Sequence, residues 1–160
     1  VCMQVNSTAS VRSYDATLTN ESLNGIVVWP GWHAGLYFSN TTLTYNIINN
    51  TIPVAGVGTS VSISSYIYKP LLIHAIRISN ILYIYFNGSL VKTYDMGLSP
   101  ISYNHTTVRI GSAGSSQPTT NGWIWASNNT YYFIKLYNIG FNNTQVLQNY
   151  NAFKSRFGLA

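Results

Sequence analysis

The amino-acid sequence predicts an all-β fold, a two-sheet antiparallel sandwich that ends in one short C-terminal helix. Two observations lead to this class. Apolar and polar residues alternate with a period of two through most of the chain, which is typical of strands that bury one face. Turn-forming clusters separate about ten such runs, a spacing that is typical of sandwiches and barrels. The 160 residues fit a single domain, residues 1–160, and no linker divides them.

A three-stranded meander is predicted over residues 71–94. Its central run, 81–86, alternates as a strand and is followed at once by Asn87-Gly88. Both residue types tolerate the positive φ of a type I′ hairpin turn, so the chain is expected to return directly as the next strand. The same reasoning predicts further strands at 25–29, 34–39, 42–48, 59–68, 106–111, 122–127 and 130–138.

The helix is predicted from Thr144 onward, where apolar residues become spaced by three or four positions. Asn143 or Thr144 can cap its first turn, and Gly158 ends it. Lys154 and Arg156 lie near its C-terminal end, where the helix dipole favours positive charge. The apolar positions of this segment are Val146, Leu147, Tyr150 and Phe153.

The low charge of the chain restricts its chemistry. Only 7% of the residues are charged, against roughly 25% in an average soluble domain. Asn, Ser and Thr supply polarity instead and occupy 51 of the 160 positions. Asp15, Glu21 and Asp95 are the only carboxylates. A typical glycosidase needs a pair of carboxylates that flank the scissile bond, and no such pair is indicated, so we predict that the chain is not an enzyme.

Metal, nucleic-acid and membrane functions are also disfavoured. Calcium takes roughly six to eight oxygen ligands, several of them from carboxylates. A chain with three carboxylates is a poor candidate for such a site, so calcium binding is doubtful and no other cofactor is expected. His33, His74, His105 and Cys2 lack the spacing of zinc ligands. The eight Lys and Arg residues give a net charge of +5 but are scattered, unlike those of nucleic-acid-binding proteins. No run of ~18 apolar residues predicts a membrane span.

The N-terminal residues are interpreted as an extended arm over residues 1–10. Val1, Met3 and Val5 alternate like a loose strand, which can add to the sheet edge of a neighbouring molecule. Cys2 is the single cysteine, so it either forms an intermolecular disulfide or is an incidental small residue.

The sequence contains eight Asn-x-Ser/Thr sequons, where its composition predicts about four by chance. Most of them fall on turns that were assigned on other grounds, where a glycan can protrude. We therefore predict N-glycosylation, which would also explain how a nearly uncharged surface stays solvated. The alternative is that a chain rich in Ser, Thr and Asn produces sequons by chance. The acceptor positions are Asn6, Asn20, Asn40, Asn49, Asn87, Asn104, Asn128 and Asn142.

Five blocks between residues 73 and 150 resemble those of one family in order and character. Three of them are a strand at 73–78 (W-H-x-V-A-x-T in the family), a hairpin at 82–91 (L-x-L-Y-V-N-G-x-L-V) and a strand at 108–112 (L-x-I-G). The others are a strand at 133–138 (I-D-E-V-R-I-Y-N-R) and a helix at 145–150 (S-x-x-E-I-x-x-L-Y). In these blocks the chain resembles the laminin-G-like domains of the concanavalin A-like lectin/glucanase superfamily.

The resemblance implies a jelly-roll sandwich that is mostly extracellular and binds glycans or proteins. Some relatives hydrolyse β-glucans through a Glu-x-Asp-x-x-Glu strand, which is absent here, so hydrolysis is not carried over. Many relatives bind calcium through an aspartate, and neither Asp15 nor Asp95 can be matched to it. The chain is thus identified as a non-catalytic member.

Two pairs of tryptophans are the predicted carbohydrate contacts. Trp123 and Trp125 are two residues apart and so lie on the same side of a strand, and Trp29 and Trp32 flank a Pro-Gly turn. Exposed indole faces can stack on sugar rings; the alternative is that these side chains belong to the core, as most large aromatic residues do.

The predicted function is an extracellular, N-glycosylated, non-catalytic surface module for glycan or protein recognition and adhesion. Its expected partners are glycans or surface proteins, and its expected location is extracellular, on a cell or virion surface. An alternative is a structural subunit of an extracellular filament, pilus, sheath or virion that assembles by strand addition. Low charge favours this alternative because identical subunits would then repel each other little.

Overall fold

The structure is a computed structural model, and the chain divides into two compact units. Unit 1 comprises Val1–Asn6, Tyr66–Leu98 and Asn129–Ala160, and unit 2 comprises Ser7–Ser65 and Ser99–Asn128. Each unit is described by itself. The residues that the structure describes are 1–6, 10–12, 23–29, 34–39, 41–49, 55–97, 109–110, 112–114, 124–127 and 129–160.

The described residues are mostly strands, and they end in one helix. The strands are β1 (Cys2–Gln4), β2 (Ser10–Arg12), β3 (Leu23–Trp29), β4 (Ala34–Ser39), β5 (Thr42–Asn49), β6 (Ala55–Ser62), β7 (Pro70–Ile78), β8 (Ile81–Phe86), β9 (Ser89–Asp95), β10 (Arg109–Ile110), β11 (Ser112–Gly114), β12 (Ile124–Ser127) and β13 (Thr130–Phe133), and the helix is α1 (Asn143–Phe157). All the strand pairs described are antiparallel. The predicted all-β class with a C-terminal helix is therefore confirmed.

Unit 1 contains a five-stranded sheet in the order β13-β1-β7-β8-β9. Its last three strands are the predicted meander, which is confirmed. Ile78 pairs with Ile81 across the Ser79-Asn80 turn, and Ser79 takes a φ of +53°. The Asn87-Gly88 turn closes the second hairpin with φ values of +47° and +81°, as a type I′ turn requires.

Unit 2 contains a five-stranded sheet in the order β10-β3-β4-β5-β6 and a three-stranded sheet in the order β11-β12-β2. Strands β4 and β5 pair residue for residue from Ala34 with Ile47 to Ser39 with Thr42, so their connection is short. Ile26, Phe38 and Leu43 are fully buried. All the sheets that the described residues form are antiparallel, in agreement with the predicted sandwich.

Helix α1 begins one residue earlier than predicted. Asn142, not Asn143 or Thr144, is the N-cap, and its side chain accepts the backbone N–H of Gln145. The Gln145 side chain accepts the backbone N–H of Asn142 in return, which completes a capping box. At the other end, Gly158 adopts the left-handed conformation and ends the helix as predicted.

The apolar face of α1 packs on the unit 1 sheet. Val146 and Tyr150 are buried, and each contributes about 1.5–3 kcal/mol of hydrophobic stabilisation. Val146 packs with Ile76 and Tyr85 of the sheet. Leu147, which was predicted to belong to this face, is 49% exposed. A second cluster on the same helix joins Cys2, Leu72, Tyr150 and Leu159 with Phe133, Phe153 and Phe157.

Two predicted strands have different extents. The strand predicted at 59–68 ends at Ser62 and is followed by a 3-10 turn at Ser64–Tyr66. The strand predicted at 130–138 ends at Phe133, because its partner β1 is only three residues long and Cys2 pairs with Phe133 at the end of the ladder.

The prediction of an N-terminal arm is wrong. Strand β1 lies between β7 and β13 and forms backbone ladders with both. A strand that is paired on both sides cannot add to the sheet of a neighbouring molecule. Residues Ser10–Arg12 are likewise paired, as β2, with β12.

The interpretation of Cys2 as an intermolecular disulfide is also wrong for the folded chain. Cys2 has no exposed surface and packs in the cluster under α1. A buried thiol cannot approach the thiol of another molecule.

We expect Cys2 to be inert toward thiol reagents in the folded protein. Burial, offset in part by the nearby amino terminus, raises the pKa of its thiol to about 11, and the thiolate is the reactive form. A chromogenic thiol titration at pH 8 should find no reactive thiol in native protein and one per chain in denaturant. Rapid modification of native protein, or a dimer that reductant dissociates, would contradict the buried position.

Candidate functional site

Two of the four predicted tryptophans lie on described strands. Trp29 ends β3, where it pairs with Ala34, and Trp125 lies on β12, where it pairs with Arg12 and Ala113. Trp32 and Trp123 lie outside the described residues. The tryptophan contacts therefore stay a prediction.

Three of the eight sequons have described side chains, and these differ in accessibility. Asn87 is only 9% exposed, and both ends of its carboxamide are used: Oδ1 accepts the Leu72 backbone N–H at 2.9 Å and Nδ2 donates to the Ala160 carbonyl oxygen at 2.8 Å. This geometry argues against Asn87 as a glycan acceptor in the folded chain. The half-buried Asn6 donates its Nδ2 to Thr130 Oγ1 at 3.2 Å.

Asn142 is the accessible member of these three. Its side chain is exposed, and its Oδ1 caps the helix while its Nδ2 is outside the capping bonds. Asn49 lies on β5, where it pairs with Ala55. The remaining acceptors, Asn20, Asn40, Asn104 and Asn128, lie outside the described residues.

The described residues contain no group of three or more His, Cys, Asp or Glu side chains that could hold a metal ion. Asp15 and Glu21 lie outside them, and Asp95 binds the backbone N–H of Gly97 at 2.8 Å. Within the same ranges, no helix is long and apolar enough to cross a membrane.

The structure reveals one surface that combines aromatic rings with positive charge. It lies where β13 and the residues that follow it meet the last two turns of α1. We call it the aromatic–cation surface, and it consists of Tyr132, Phe133, Lys135, Phe153, Arg156 and Phe157.

The rings of this surface contact one another closely. Tyr132 stacks on Phe157 with the ring centroids 4.9 Å apart and the planes 14° from parallel. Phe133 lies 4.6 Å from Phe153 and 5.6 Å from Phe157, both measured between centroids. The phenylalanines are half-buried against the cluster around Cys2, whereas Tyr132 is 40% exposed. Packing against the core therefore holds one edge of the surface rigid while the other edge faces solvent.

Cations cover the same rings. The Lys135 Nζ atom lies 5.4 Å from the Phe133 centroid and 5.2 Å from that of Phe153, and the Arg156 guanidinium carbon lies 5.3 Å from the Phe157 centroid. These distances fall in the range of cation–π contacts, worth about 0.5–1 kcal/mol at exposed sites. The charged ends remain exposed, so they can also bind an anionic group of a ligand.

The net charge of the protein is concentrated in unit 1. This unit contains six of the eight Lys and Arg residues but only Asp95 among the three carboxylates, which leaves it with the whole net charge of +5. Helix α1 contains no acidic residue, so no carboxylate of the helix neutralises Lys154 or Arg156. The potential at the aromatic–cation surface is therefore positive.

A buried polar group lies under the helix, apart from this surface. His74 pairs with Tyr85 across β7 and β8, and its Nδ1 atom is buried without a hydrogen-bond partner. Burial, and then the charge of the amino terminus, lowers the pKa of His74 to about 4. Burial and the neighbouring Tyr83 raise the pKa of Tyr85, whose hydroxyl donates to Asn143 Oδ1. The Tyr85–Asn143 hydrogen bond joins β8 to the first turn of α1.

Sequence reasoning did not single out the aromatic–cation surface, although the sequence contains an indication of it. Phe153 and Phe157 are four apart on a helix and so share a face. Lys154 and Arg156 alternate with them, and the run 131–133 is wholly aromatic. The juxtaposition of this run with the helix end depends on tertiary packing, which periodicity alone does not predict.

The fold is that of a β-sandwich. Solved structures that match nearly the whole chain include the receptor-binding domain of botulinum neurotoxin mosaic serotype C/D, with a TM-score of 0.60 and 12% identity over 94% of this chain and 35% of that one. The binding domain of botulinum neurotoxin serotype G matches with a TM-score of 0.57 and 17% identity, over 96% of this chain and 36% of that one.

A third match is the binding domain of botulinum neurotoxin DC in complex with rat synaptotagmin II, with a TM-score of 0.52, 13% identity, and coverage of 94% and 34%. The chain thus spans about a third of the length of these structures. Because the identities are low, the likeness shows the fold alone. No protein-family model and no curated protein matches the sequence.

Proposed function

We propose that this protein is a non-catalytic extracellular module that binds glycans through the aromatic–cation surface. The observation that carries the proposal is the rigid Tyr132–Phe157 stack, which presents ring faces next to Lys135 and Arg156. Aromatic faces pack on the apolar faces of sugar rings, and the cations can bind hydroxyl or acidic substituents. Since unit 1 carries the net charge of +5, acidic glycans should bind more tightly than neutral glycans of equal length.

The matched solved structures support this proposal at the level of the fold. One of them is a receptor-binding domain, the other two are binding domains, and one of these is in complex with a protein, rat synaptotagmin II. The same proposal has three further parts: the chain is a member of the laminin-G-like group, it is N-glycosylated, and it is located on a cell or virion surface. The tryptophans Trp29, Trp32, Trp123 and Trp125 are a second candidate contact surface within it.

The filament alternative is not proposed as a second function. Its mechanism was strand addition by the N-terminal residues, and β1 is already paired on both sides.

Removal of the solvent-facing parts of the surface should abolish most glycan binding. We expect the variant Tyr132→Ala/Arg156→Gln to lose about tenfold or more in affinity, because one stacking ring and one cation, each worth about 1 kcal/mol, are removed. Both side chains are exposed, so the variant should fold. A screen of immobilised neutral and acidic glycans, followed by Kd measurement for the best binder, gives the readout.

The matched control is Tyr68→Asn/Lys92→Gln. It removes one aromatic ring and one cation outside the surface: Tyr68 is 76% exposed on a turn with a φ of +64°, which asparagine tolerates, and Lys92 lies on β9 at the opposite edge of the sheet. Its affinity should stay within about twofold of wild type. Equal losses in the two variants, or no glycan bound by wild type, would refute the proposal.

A further inference from the structure

An apolar patch lies beside the start of α1. It consists of Ile78, Leu136, Tyr137 and Ile139, each between 46% and 62% exposed. Residues next to the start of α1 contact two of its members: a Cβ on Gly140 would lie only 2.7 Å from Ile78 Cγ1, and the Tyr137 ring lies 4.5 Å from that of Phe141. Contiguous exposed apolar surfaces often mark contact sites.

The charged residues nearest to the patch in the sequence are Arg77 and Lys135, which precede Ile78 and Leu136. From residue 136 to residue 153 the chain contains no Asp, Glu, Lys, Arg or His. Charged side chains usually surround and solvate apolar residues on a protein surface. The solvation of this segment must therefore come from uncharged groups.

An accessible glycan acceptor adjoins the patch. Asn142 follows Phe141 directly, and the sequon Asn142-Asn143-Thr144 has an exposed first and third residue. The Asn142 Nδ2 atom is outside the capping box, in contrast to the Nδ2 atoms of Asn87 and Asn6, which are bonded to Ala160 and Thr130.

We infer that Asn142 carries an N-glycan whose first sugars cover the apolar patch. The inference rests on the proposed extracellular, N-glycosylated state of the protein. Asn142 Nδ2 would attack the anomeric carbon of a lipid-linked oligosaccharide phosphate in the secretory pathway. A C–N bond forms, the bond from the anomeric carbon to the phosphate oxygen breaks, the lipid phosphate leaves with the electron pair, and the amide loses one proton to a base. The apolar faces of the attached sugars then lie within reach of Tyr137 and Ile139.

The test compares Thr144→Ala with Thr144→Ser in protein secreted from a host that performs N-glycosylation. Both variants keep the Asn142 cap, but only the alanine variant loses the sequon. Glycopeptide mass spectrometry should find a glycan on Asn142 in wild type and in Thr144→Ser and none in Thr144→Ala. Fluorescence of a hydrophobic dye should rise about threefold in Thr144→Ala alone, because the patch becomes uncovered.

A second variant tests whether the dye binds at the apolar patch. Adding Tyr137→Asn/Ile139→Asn to Thr144→Ala should return the fluorescence to the wild-type level. If Asn142 is unmodified while other sequons carry glycans, this inference is wrong but the proposed function stands. If the protein carries no glycan at all, N-glycosylation is also removed from the proposed function. The inference also fails if dye binding is unchanged in Thr144→Ala, or if sedimentation shows that the glycosylated protein dimerises and that Tyr137→Asn/Ile139→Asn abolishes the dimer.

Discussion

Replacing Gly88 by alanine is expected to destabilise the protein by about 2–4 kcal/mol. Gly88 has a φ of +81°, a conformation that costs a residue with a Cβ atom, and it lies under helix α1. A Cβ at this position would lie 3.0 Å from Tyr150 Cγ and 3.1 Å from Tyr150 Cβ. These atoms belong to the rigid base of a buried side chain, so the helix itself would have to shift.

Gly97→Ala is the matched control for this prediction. Gly97 has a similar φ of +68°, but a Cβ there would meet no atom within 4 Å. Gly97→Ala should therefore lower the free energy of unfolding by only about 1 kcal/mol, the cost of placing a residue with a Cβ atom at a positive φ. Urea unfolding of both variants gives the difference. Equal losses would contradict the close packing of the Asn87-Gly88 turn against Tyr150.

The second large effect is a loss of stability in acid that depends on His74. Its pKa in the folded protein is about 4, below the ordinary value of 6.5, because the ring is buried. Between these two values the unfolded chain binds more protons than the folded chain. The corresponding stability is complete above pH 6.5 and is lost as the pH falls toward 4. The expected loss is about 2–3 kcal/mol.

Urea unfolding at pH 7, 5.5 and 4 measures this loss. The variant His74→Leu should lose clearly less stability than wild type between pH 7 and 5.5, whereas the buried amino terminus of Val1, whose pKa burial lowers to about 6, should keep its own contribution in both proteins. The three carboxylates of the chain bind few protons in this range, so they add little to the pH dependence. A variant that follows the wild-type profile would show that His74 is not the responsible group.

Turns and helix ends were predicted correctly where the residues of the turn or helix end themselves determine the backbone conformation. The Asn87-Gly88 hairpin follows from two residues that accept positive φ, and the end of α1 follows from Gly158. The N-cap was predicted one or two residues too far toward the C-terminus, because Asn142, Asn143 and Thr144 are all residue types that cap helices well. Only the reciprocal bond with Gln145 distinguishes Asn142 from the other two.

The errors concern contacts between distant parts of the chain. Residues 1–10 were interpreted as an arm because alternation does not reveal which strands flank a segment, and β1 pairs with β7 and β13. Asn87 was predicted to carry a glycan because its tripeptide lies on a turn, whereas the fold uses its carboxamide to bind Leu72 and Ala160. The aromatic–cation surface also depends on such contacts, since Tyr132 and Phe157 meet only after α1 has docked.

The most direct test of glycan recognition at the aromatic–cation surface is an NMR titration with the tightest-binding glycan of the screen. The account predicts that chemical-shift changes cluster at residues 132–135 and 153–157, while the indole N–H signals of the four tryptophans stay in place. Changes confined to the indole signals of Trp29, Trp32, Trp123 or Trp125 would contradict it and would assign recognition to the tryptophans instead.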